Sequence, residues 1–154
     1  MGHRIFFSFD YEDDLWRATQ IRDTNVVART DVAGFFDQAE YEAAGKNGPE
    51  GIRRMILRDL EGTSVTVVLI GALTAQRPWV KYEIEQSLAR KNGLLGIYIH
   101  HLPDERYALV RGTKPSVPGN VEFPAYEWDQ LPHFVREIEA AGMRSDTLRN
   151  HRGH

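Results

Sequence analysis

Cysteine is absent from this chain of 154 residues, and long apolar runs are absent as well. The lack of cysteine excludes disulfides, thiolate nucleophiles and cysteine-based zinc sites, and it fits a reducing compartment. No segment approaches the roughly 18 apolar residues of a membrane-spanning helix, and the apolar stretch near the N-terminus is too short for a signal peptide. These absences predict a soluble cytoplasmic protein with no membrane partner.

An excess of positive charge and glycine-rich phosphate loops are also missing. Asp and Glu number 22 against 19 Lys and Arg, so the formal net charge is −3, and no bulk positive field attracts nucleic acid. The turn after the first predicted strand, residues 10–14, contains no glycine, and the chain has no P-loop sequence. Dinucleotide-binding folds and NTPases need such loops. The sequence therefore argues against a Rossmann dehydrogenase, an NTPase and a nucleic-acid-binding protein.

Strand-like and helix-like segments alternate along the chain. Near-continuous apolar runs, which are typical of strands covered on both faces, are separated by segments with helical periodicity. This alternation is typical of an α/β protein with a doubly wound, mostly parallel sheet, and we expect one domain over residues 1–143. Strands are predicted at residues 4–9, 64–70, 94–99, 123–128 and, as a short edge strand, at Phe35-Phe36.

The predicted helix limits come from capping residues and from the ends of the apolar periodicity. Asp13 is expected to cap the first helix, which extends to about Val27, and residues 30–47 are expected to be irregular. The last predicted helix spans residues 131–141. Residues 144–154 are polar and are expected to form a frayed tail.

A Trp-x-x-x-Glu pair on the helix after the 64–70 strand is the most informative local pattern. Trp79 and Glu83 are four residues apart and therefore lie on one face, about 100° from the apolar stripe of the same helix. That stripe consists of Val80, Ile84 and Leu88. The pattern places a carboxylate beside an aromatic ring, next to the carboxyl end of a buried strand, where ligands bind in open α/β sheets.

A single sheltered carboxylate can assist the cleavage of an N-glycosidic bond. Such cleavage passes through an oxocarbenium-like state, and a cationic nicotinamide departs neutral without a general acid. Glu83 could hold the ribose hydroxyls and stabilise the developing charge, while Trp79 could stack on a ring with a gain of about 1 kcal/mol. This chemistry needs no metal. In the competing interpretation, Glu83 is a solvated charge on a helix face and Trp79 is a core residue.

Two other kinds of site are less well supported by the residues. The acidic turn 10–14 resembles that of a phosphoacceptor receiver, but the chain has residues 71–74, Gly-Ala-Leu-Thr, where a receiver carries its aspartate nucleophile. His100 and His101 could bind a metal at the end of the 94–99 strand. No second ligand pair is near them in the sequence, so we expect no metal site.

Four segments in order resemble TIR-like proteins of the Thoeris ThsB group. The likeness extends from about residue 4 to about residue 141 and implies a flavodoxin-like, TIR-type fold with a five-stranded sheet and helices on both faces. The segments are residues 4–18 (RIFFSFDYEDDLWRA), 62–71 (GTSVTVVLIG), 77–84 (RPWVKYEI) and 92–99 (NGLLGIYI).

The resemblance also implies an activity and a site. TIR enzymes carry their essential glutamate in a Trp-x-x-x-Glu helix, which matches Trp79 and Glu83, and their pocket uses the loop after the first strand, here Ser8, Phe9 and Asp10. Such proteins act in bacterial antiphage defence, where they cleave NAD⁺, release nicotinamide and make an ADP-ribose-derived signal, often cyclic. NAD⁺ is a substrate, and no other cofactor is expected. The expected partners are a separate effector that responds to the signal, a phage-derived trigger and a second copy of the chain.

The chain departs from the group at two places. Asp10 stands where many relatives have His, and residues 29–34 lack the Pro-Gly of the loop that supports head-to-tail assembly in other TIR domains. Two further functions remain open, since a fold does not determine an activity. One is a non-catalytic TIR-type interaction module, and the other is a nucleoside ribosyl hydrolase or transferase.

Overall fold

The computed structural model describes residues 3–102, 111–128 and 131–150, without the side chains of residues 131 and 132. Within these ranges the strands are β1 (Arg4–Ser8), β2 (Asp31–Gly34), β3 (Val65–Ile70), β4 (Gly93–Tyr98) and β5 (Ala125–Glu127). The helices are α1 (Tyr11–Arg22), α2 (Asn25–Ala28), α3 (Gln38–Gly45), α4 (Gly48–Leu60), α5 (Pro78–Ala89) and α6 (Leu131–Asn150).

The strands form one parallel sheet in the order β2-β1-β3-β4-β5. This is the flavodoxin-like order, and it confirms the predicted α/β class and the doubly wound, five-stranded sheet. The chain passes from β1 to β2 on one side and then to β3 on the other. Because ligands in such sheets bind where the strand order reverses, the carboxyl ends of β1 and β3 are the expected place for a site.

Helices cover both faces of the sheet because its central strands are apolar on both sides. All six residues of β3 are buried. In β1, Phe7 packs in a cluster with residues of α1, α2 and α6, whereas its neighbour Phe6 packs with residues of α4. Val68 and Ile70 of β3 pack against α5. The continuous apolar runs therefore have the two-sided burial that the sequence predicted.

The first helix begins earlier and ends earlier than predicted. Its N-cap is Asp10, not Asp13, because the Asp10 backbone is extended and its carboxylate accepts a hydrogen bond from the Asp13 N–H at 3.4 Å. The helix ends at Arg22. Thr24 then caps the separate helix α2 by accepting a hydrogen bond from the Val27 N–H, so a second cap interrupts the single helix predicted to reach Val27.

Residues 30–47, which were expected to be irregular, contain β2 and α3. The edge strand precedes Phe35 and Phe36 rather than including them. Their rings make edge-to-face contacts with two rings of β1: Phe35 contacts Phe7, and Phe36 contacts Phe6. Asp37 starts α3 by accepting a hydrogen bond from the Glu40 N–H at 2.9 Å.

The last helix continues to Asn150, so the expected fraying of the tail is wrong for residues 144–150; residues 151–154 lie outside the described part. Arginine side chains hold this polar extension. Arg144 donates to the Leu94 carbonyl at 2.7 Å, and Arg149 donates to the carbonyls of Thr63 and Arg90 at 3.1 and 3.0 Å. No helix of the described ranges combines the length and apolar content that crossing a bilayer requires.

Candidate active site

The end of β1 and the first turns of α5 meet at the carboxyl edge of the sheet. Ser8, the last residue of β1, is fully buried, and Glu83 of α5 is 5% exposed. The Ser8 hydroxyl donates a hydrogen bond to Glu83 Oε1 at 2.5 Å. Two residues that are 75 positions apart are thereby joined, and both belong to the set that the sequence singled out.

The Glu83 carboxyl group lies in an unusual electrostatic environment. Burial raises its pKa from the ordinary 4.5 to about 8, and the hydrogen bond from Ser8 opposes this rise only in part. No Lys or Arg of the described residues forms an ion pair with it. A carboxyl group with this pKa is mostly protonated at pH 7, and a cation placed next to it would favour its ionised form.

A cleft opens beside Glu83, with an empty volume of about 590 Å³ that includes the part open to solvent. Four of the five predicted site residues, Phe9, Asp10, Trp79 and Glu83, line it. The fifth, Ser8, is not in the lining but is hydrogen-bonded to Glu83. The other lining residues are Phe7, Tyr11, Glu12, Phe36, Tyr41, Ile52, Ile56, Arg77, Pro78 and Val80. The lining of the cleft is mainly apolar and aromatic with a few polar groups, as is usual for small-molecule sites.

Aromatic rings from three helices form the walls of the cleft. Trp79 packs edge-on against Tyr82 at a centroid distance of 5.9 Å, with the Arg53 guanidinium 5.9 Å from the Trp79 ring. Tyr11 and Tyr41 stack nearly parallel, with centroids 3.9 Å apart. Neither tyrosine was predicted from the sequence as part of the site. Tyr11 could have been found because it follows Asp10 directly, but Tyr41 belongs to the segment predicted to be irregular.

Arg77 joins the start of α5 to the loop after β1. Its Nε lies 2.8 Å from Asp10 Oδ2, and its Nη2 lies 3.0 Å from Asp13 Oδ2. These hydrogen bonds raise the pKa of the guanidinium further above its usual range. The Asp10 carboxylate that lines the cleft is thus already paired with Arg77. Arg77 itself was not predicted from the sequence as a residue of the site.

A buried ion pair lies on the other side of the same loop. Arg17 Nη1 contacts Asp14 Oδ1 at 2.9 Å, and Arg17 Nε donates to the Leu102 carbonyl at 2.9 Å. Burial is the main cause that raises the pKa of Asp14 to about 6. Neither side chain lines the cleft. Gly71 allows this packing, since a Cβ there would lie only 2.0 Å from Asp14 Oδ2.

The cleft has few groups that could bind a metal. Among the described residues, its lining contains the carboxylates of Asp10, Glu12 and Glu83 and no histidine. Since Asp10 is paired with Arg77 and Glu83 accepts from Ser8, the geometry favours an organic ligand with a positive charge and flat rings over a metal ion.

The part of the chain that forms this cleft is similar to known proteins. The pattern of the family described as "Thoeris protein ThsB, TIR-like domain" matches residues 6–104, a range that includes Ser8 and Glu83. A protein of Bacillus cereus (strain MSX-D12), named "Putative cyclic ADP-D-ribose synthase ThsB1", is 37% identical over 164 aligned residues. That alignment covers 94% of this chain and 85% of the relative.

Proposed function

Since the chain belongs to the Thoeris ThsB TIR-like family, we propose that it cleaves nicotinamide from NAD⁺ and converts the ADP-ribose part into a signal, most simply a cyclic one, in antiphage defence. The observation that carries this proposal is the buried Glu83 carboxyl group, bonded to Ser8 at 2.5 Å in an aromatic cleft at the carboxyl edge of the sheet. The name of the Bacillus cereus relative, which refers to a cyclic ADP-D-ribose synthase, supports the same class of reaction.

Glu83 acts first on the charge of the substrate. A pyridinium ring next to the carboxyl group favours the ionised form, so binding of NAD⁺ near neutral pH releases the Glu83 proton to solvent. The bond between the ribose carbon and the pyridinium nitrogen then breaks, and its electron pair neutralises the nitrogen. Nicotinamide leaves uncharged, and the positive charge that develops on the ribose is stabilised by the Glu83 carboxylate.

Ser8 and the aromatic walls prepare this step. The Ser8 hydroxyl holds Glu83 Oε1 in place and stabilises the ionised form through a hydrogen bond to a charged oxygen. Trp79, Phe9 and the Tyr11–Tyr41 stack offer flat surfaces to the nicotinamide and adenine rings. Such walls also limit the access of water to the reactive ribose.

Cyclisation requires that the ribosyl cation be captured within the same molecule. A hydroxyl or a base nitrogen of the ADP-ribose forms the new bond to the ribose carbon, and when the attacking group is a hydroxyl one proton is released. Water would give linear ADP-ribose instead. The apolar lining of the cleft favours the intramolecular product because it keeps water out.

Glu83→Gln is the direct test of the catalytic role. The amide preserves the shape of the side chain but cannot become anionic, so we expect nicotinamide release to fall by about 10²–10³-fold, as when one preorganised electrostatic group is removed. Glu85→Gln, an exposed position on the same helix, is the matched control and should remain active. A folded Glu83→Gln protein that releases nicotinamide at the normal rate would refute the proposal.

The expected partners require a test in the cellular context. We propose that a phage-derived trigger and assembly of several copies increase the activity, and that the product acts on a separate effector. Incubation with NAD⁺ and either infected or uninfected lysate, followed by mass spectrometry of the products, should show nicotinamide and an ADP-ribose-derived product. The absence of both under every trigger would favour a non-catalytic interaction module. Cleavage of free nucleosides in preference to NAD⁺ would favour a ribosyl hydrolase.

A further inference from the structure

Three potential metal ligands meet at the carboxyl ends of β4 and β5, outside the lining of the cleft. His100 and His101 follow β4, and Glu127 is the last residue of β5. One ligand atom from each residue lies within 4.8 Å of those of the other two, and all three residues are half-buried. We propose that His100, His101 and Glu127 bind one divalent transition-metal ion of the zinc type.

The distances are close to those of a bound site. His100 Nε2 lies 3.8 Å and His101 Nδ1 lies 3.9 Å from the same oxygen, Glu127 Oε1. Around a tetrahedral zinc ion, with bonds of about 2.0–2.1 Å, ligand atoms lie about 3.3–3.4 Å apart. These two distances exceed this by about half an ångström, and the two histidine nitrogens lie within 4.8 Å of each other, so metal binding requires the three side chains to move closer together.

An unsatisfied nitrogen provides a second, independent observation. His101 Nδ1, one of the proposed ligand atoms, is buried and has no hydrogen-bond partner within the described part of the chain. Buried polar atoms without partners are uncommon in folded proteins and point to a missing ligand or water. A metal ion bound at His101 Nδ1 would supply the partner that this nitrogen lacks.

Arg111 holds the remaining oxygen of the carboxylate. Its Nε lies 3.5 Å from Glu127 Oε2, and its guanidinium lies over the Tyr98 ring, 4.1 Å from the centroid. Arg111 thus orients the Glu127 carboxylate through Oε2, and Oε1 faces the two imidazoles. Residues that hydrogen-bond to metal ligands often orient them in this way. Two imidazoles and one carboxylate favour Zn²⁺, Co²⁺ or Ni²⁺ over Mg²⁺ and Ca²⁺.

The sheet register creates this site. Tyr98 of β4 pairs with Glu127 of β5, so the turn that follows Tyr98 lies beside the carboxylate. The sequence showed the adjacent histidines without a third ligand, and the expectation that there is no metal site rested on that gap. The described residues supply three ligands, which leaves at least one further position on a tetrahedral ion, and we expect the ion to connect the end of β4 to the short edge strand β5.

The test uses the full chain without an affinity tag, stripped of metal with a chelator. We expect one equivalent of Zn²⁺ to bind in competition with a chromophoric chelator, Co²⁺ to give the absorption bands of a tetrahedral site, and the melting temperature to rise with Zn²⁺. Glu127→Gln and His101→Asn should each weaken Zn²⁺ binding by at least about tenfold. Near-UV circular dichroism checks that both variants are folded.

The control addresses two of the four other histidines, His151 and His154. A His151→Asn/His154→Asn double variant should bind Zn²⁺ as the unaltered chain does. If the unaltered chain binds neither Zn²⁺ nor Co²⁺ at tens of micromolar, the proposal is wrong. Binding that persists in both Glu127→Gln and His101→Asn but disappears in the double variant would show adventitious binding by the terminal histidines and would equally overturn it.

Discussion

Glu83 and Asp10 are buried carboxyl groups that line the same cleft, but among the residues that the structure describes only Asp10 has a cationic partner. Asp10 is 2% exposed and contacts Arg77 at 2.8 Å, whereas Glu83 is 5% exposed and has the neutral Ser8 hydroxyl as its hydrogen-bond partner. Burial raises the pKa of Glu83 to about 8. The charge of Asp10 is compensated by Arg77. An ionised Glu83 would have no such cation beside it among the described residues.

The two carboxyl groups are therefore suited to different roles, although both lie at the same edge of the sheet. A paired carboxylate such as Asp10 holds loops together and has little capacity left for a substrate. An unpaired, buried carboxyl group is costly to ionise, and a cationic substrate or transition state reduces that cost. We therefore expect changes at Glu83 to affect activity above all, and changes at Asp10 and Arg77 to affect stability above all.

The largest expected effect is an opposite response to two isosteric changes. Glu83→Gln should reduce kcat/KM for NAD⁺ by about 10²–10³-fold. At pH 8 it should also increase the free energy of unfolding by a few kcal/mol, because the folded protein then no longer contains a buried carboxyl group that is costly to ionise. Asp10→Asn should instead destabilise the fold by about 1–3 kcal/mol, because Arg77 loses its main charged partner. Urea unfolding and initial rates on the same samples measure both quantities.

A common response would contradict the comparison. If both variants lost stability to a similar extent, Glu83 would be a structural acid like Asp10. If Asp10→Asn lost activity as completely as Glu83→Gln while remaining equally stable, Asp10 would contact the substrate directly, as the resemblance first implied.

Replacement of Arg77 probes the other half of the pair. Arg77→Ala leaves the buried Asp10 carboxylate without its cation, and we expect a loss of about 2 kcal/mol in the free energy of unfolding; the Arg77 side chain is 30% exposed, so the loss is below that of a fully buried pair. Arg77→Lys should recover only part of it, since an ammonium group cannot bridge Asp10 and Asp13 in the same fork. Full recovery by lysine would mean that only the charge matters.

The pH dependence should show the raised pKa of Glu83. In the free enzyme the active form is the carboxylate, so kcat/KM should rise about tenfold per pH unit and level off near pH 8. Stability should change in the opposite direction. The folded state holds its proton up to about pH 8, whereas the unfolded chain loses it near pH 4.5, so the stability present below pH 4.5 declines as pH rises through this window.

Glu83→Gln is the control for the pH experiment, because it should remove this part of the stability slope between pH 4.5 and 8. A kcat/KM profile that is flat from pH 6 to pH 9 would show that Glu83 is ionised throughout, and the distinction from Asp10 would then fail.

The smallest expected effect concerns the hydroxyl partner. Ser8→Ala removes the hydrogen bond that lowers the pKa of Glu83, so the rising limb of the kcat/KM profile should move to higher pH. At pH 7 we expect activity to fall by about tenfold, the magnitude of one hydrogen bond to a charged group. Ser8→Thr keeps the hydroxyl and should retain the pH profile if the extra methyl group fits. An unshifted profile in Ser8→Ala would mean that burial alone sets the pKa.

Much of the fold could be predicted from the sequence because local patterns encode it. The apolar runs at 64–70 and 94–99 correspond to β3 and β4, and the helix predicted to carry Trp79 and Glu83 is α5. Some errors concern local helix caps, such as Thr24 and Asp37, and others lie where side chains interact over distance. The 144–150 extension looks like a tail in the sequence, yet Arg149 reaches carbonyls of residues 63 and 90 and holds it as helix.

The amino-acid sequence by itself determined the class of fold, the alternation of the main strands and helices, and the position of Glu83 near the carboxyl end of a buried strand. These properties depend on residues that are neighbours along the chain and on the apolar periodicity that they share. Only the tertiary structure decided that Glu83 is buried with no cation beside it among the described residues, that Ser8 is its partner, that Tyr41 lines the cleft and that Glu127 meets the two histidines. Burial and hydrogen bonding set the chemistry of a carboxyl group, and both are supplied by residues that folding brings together from distant parts of the chain.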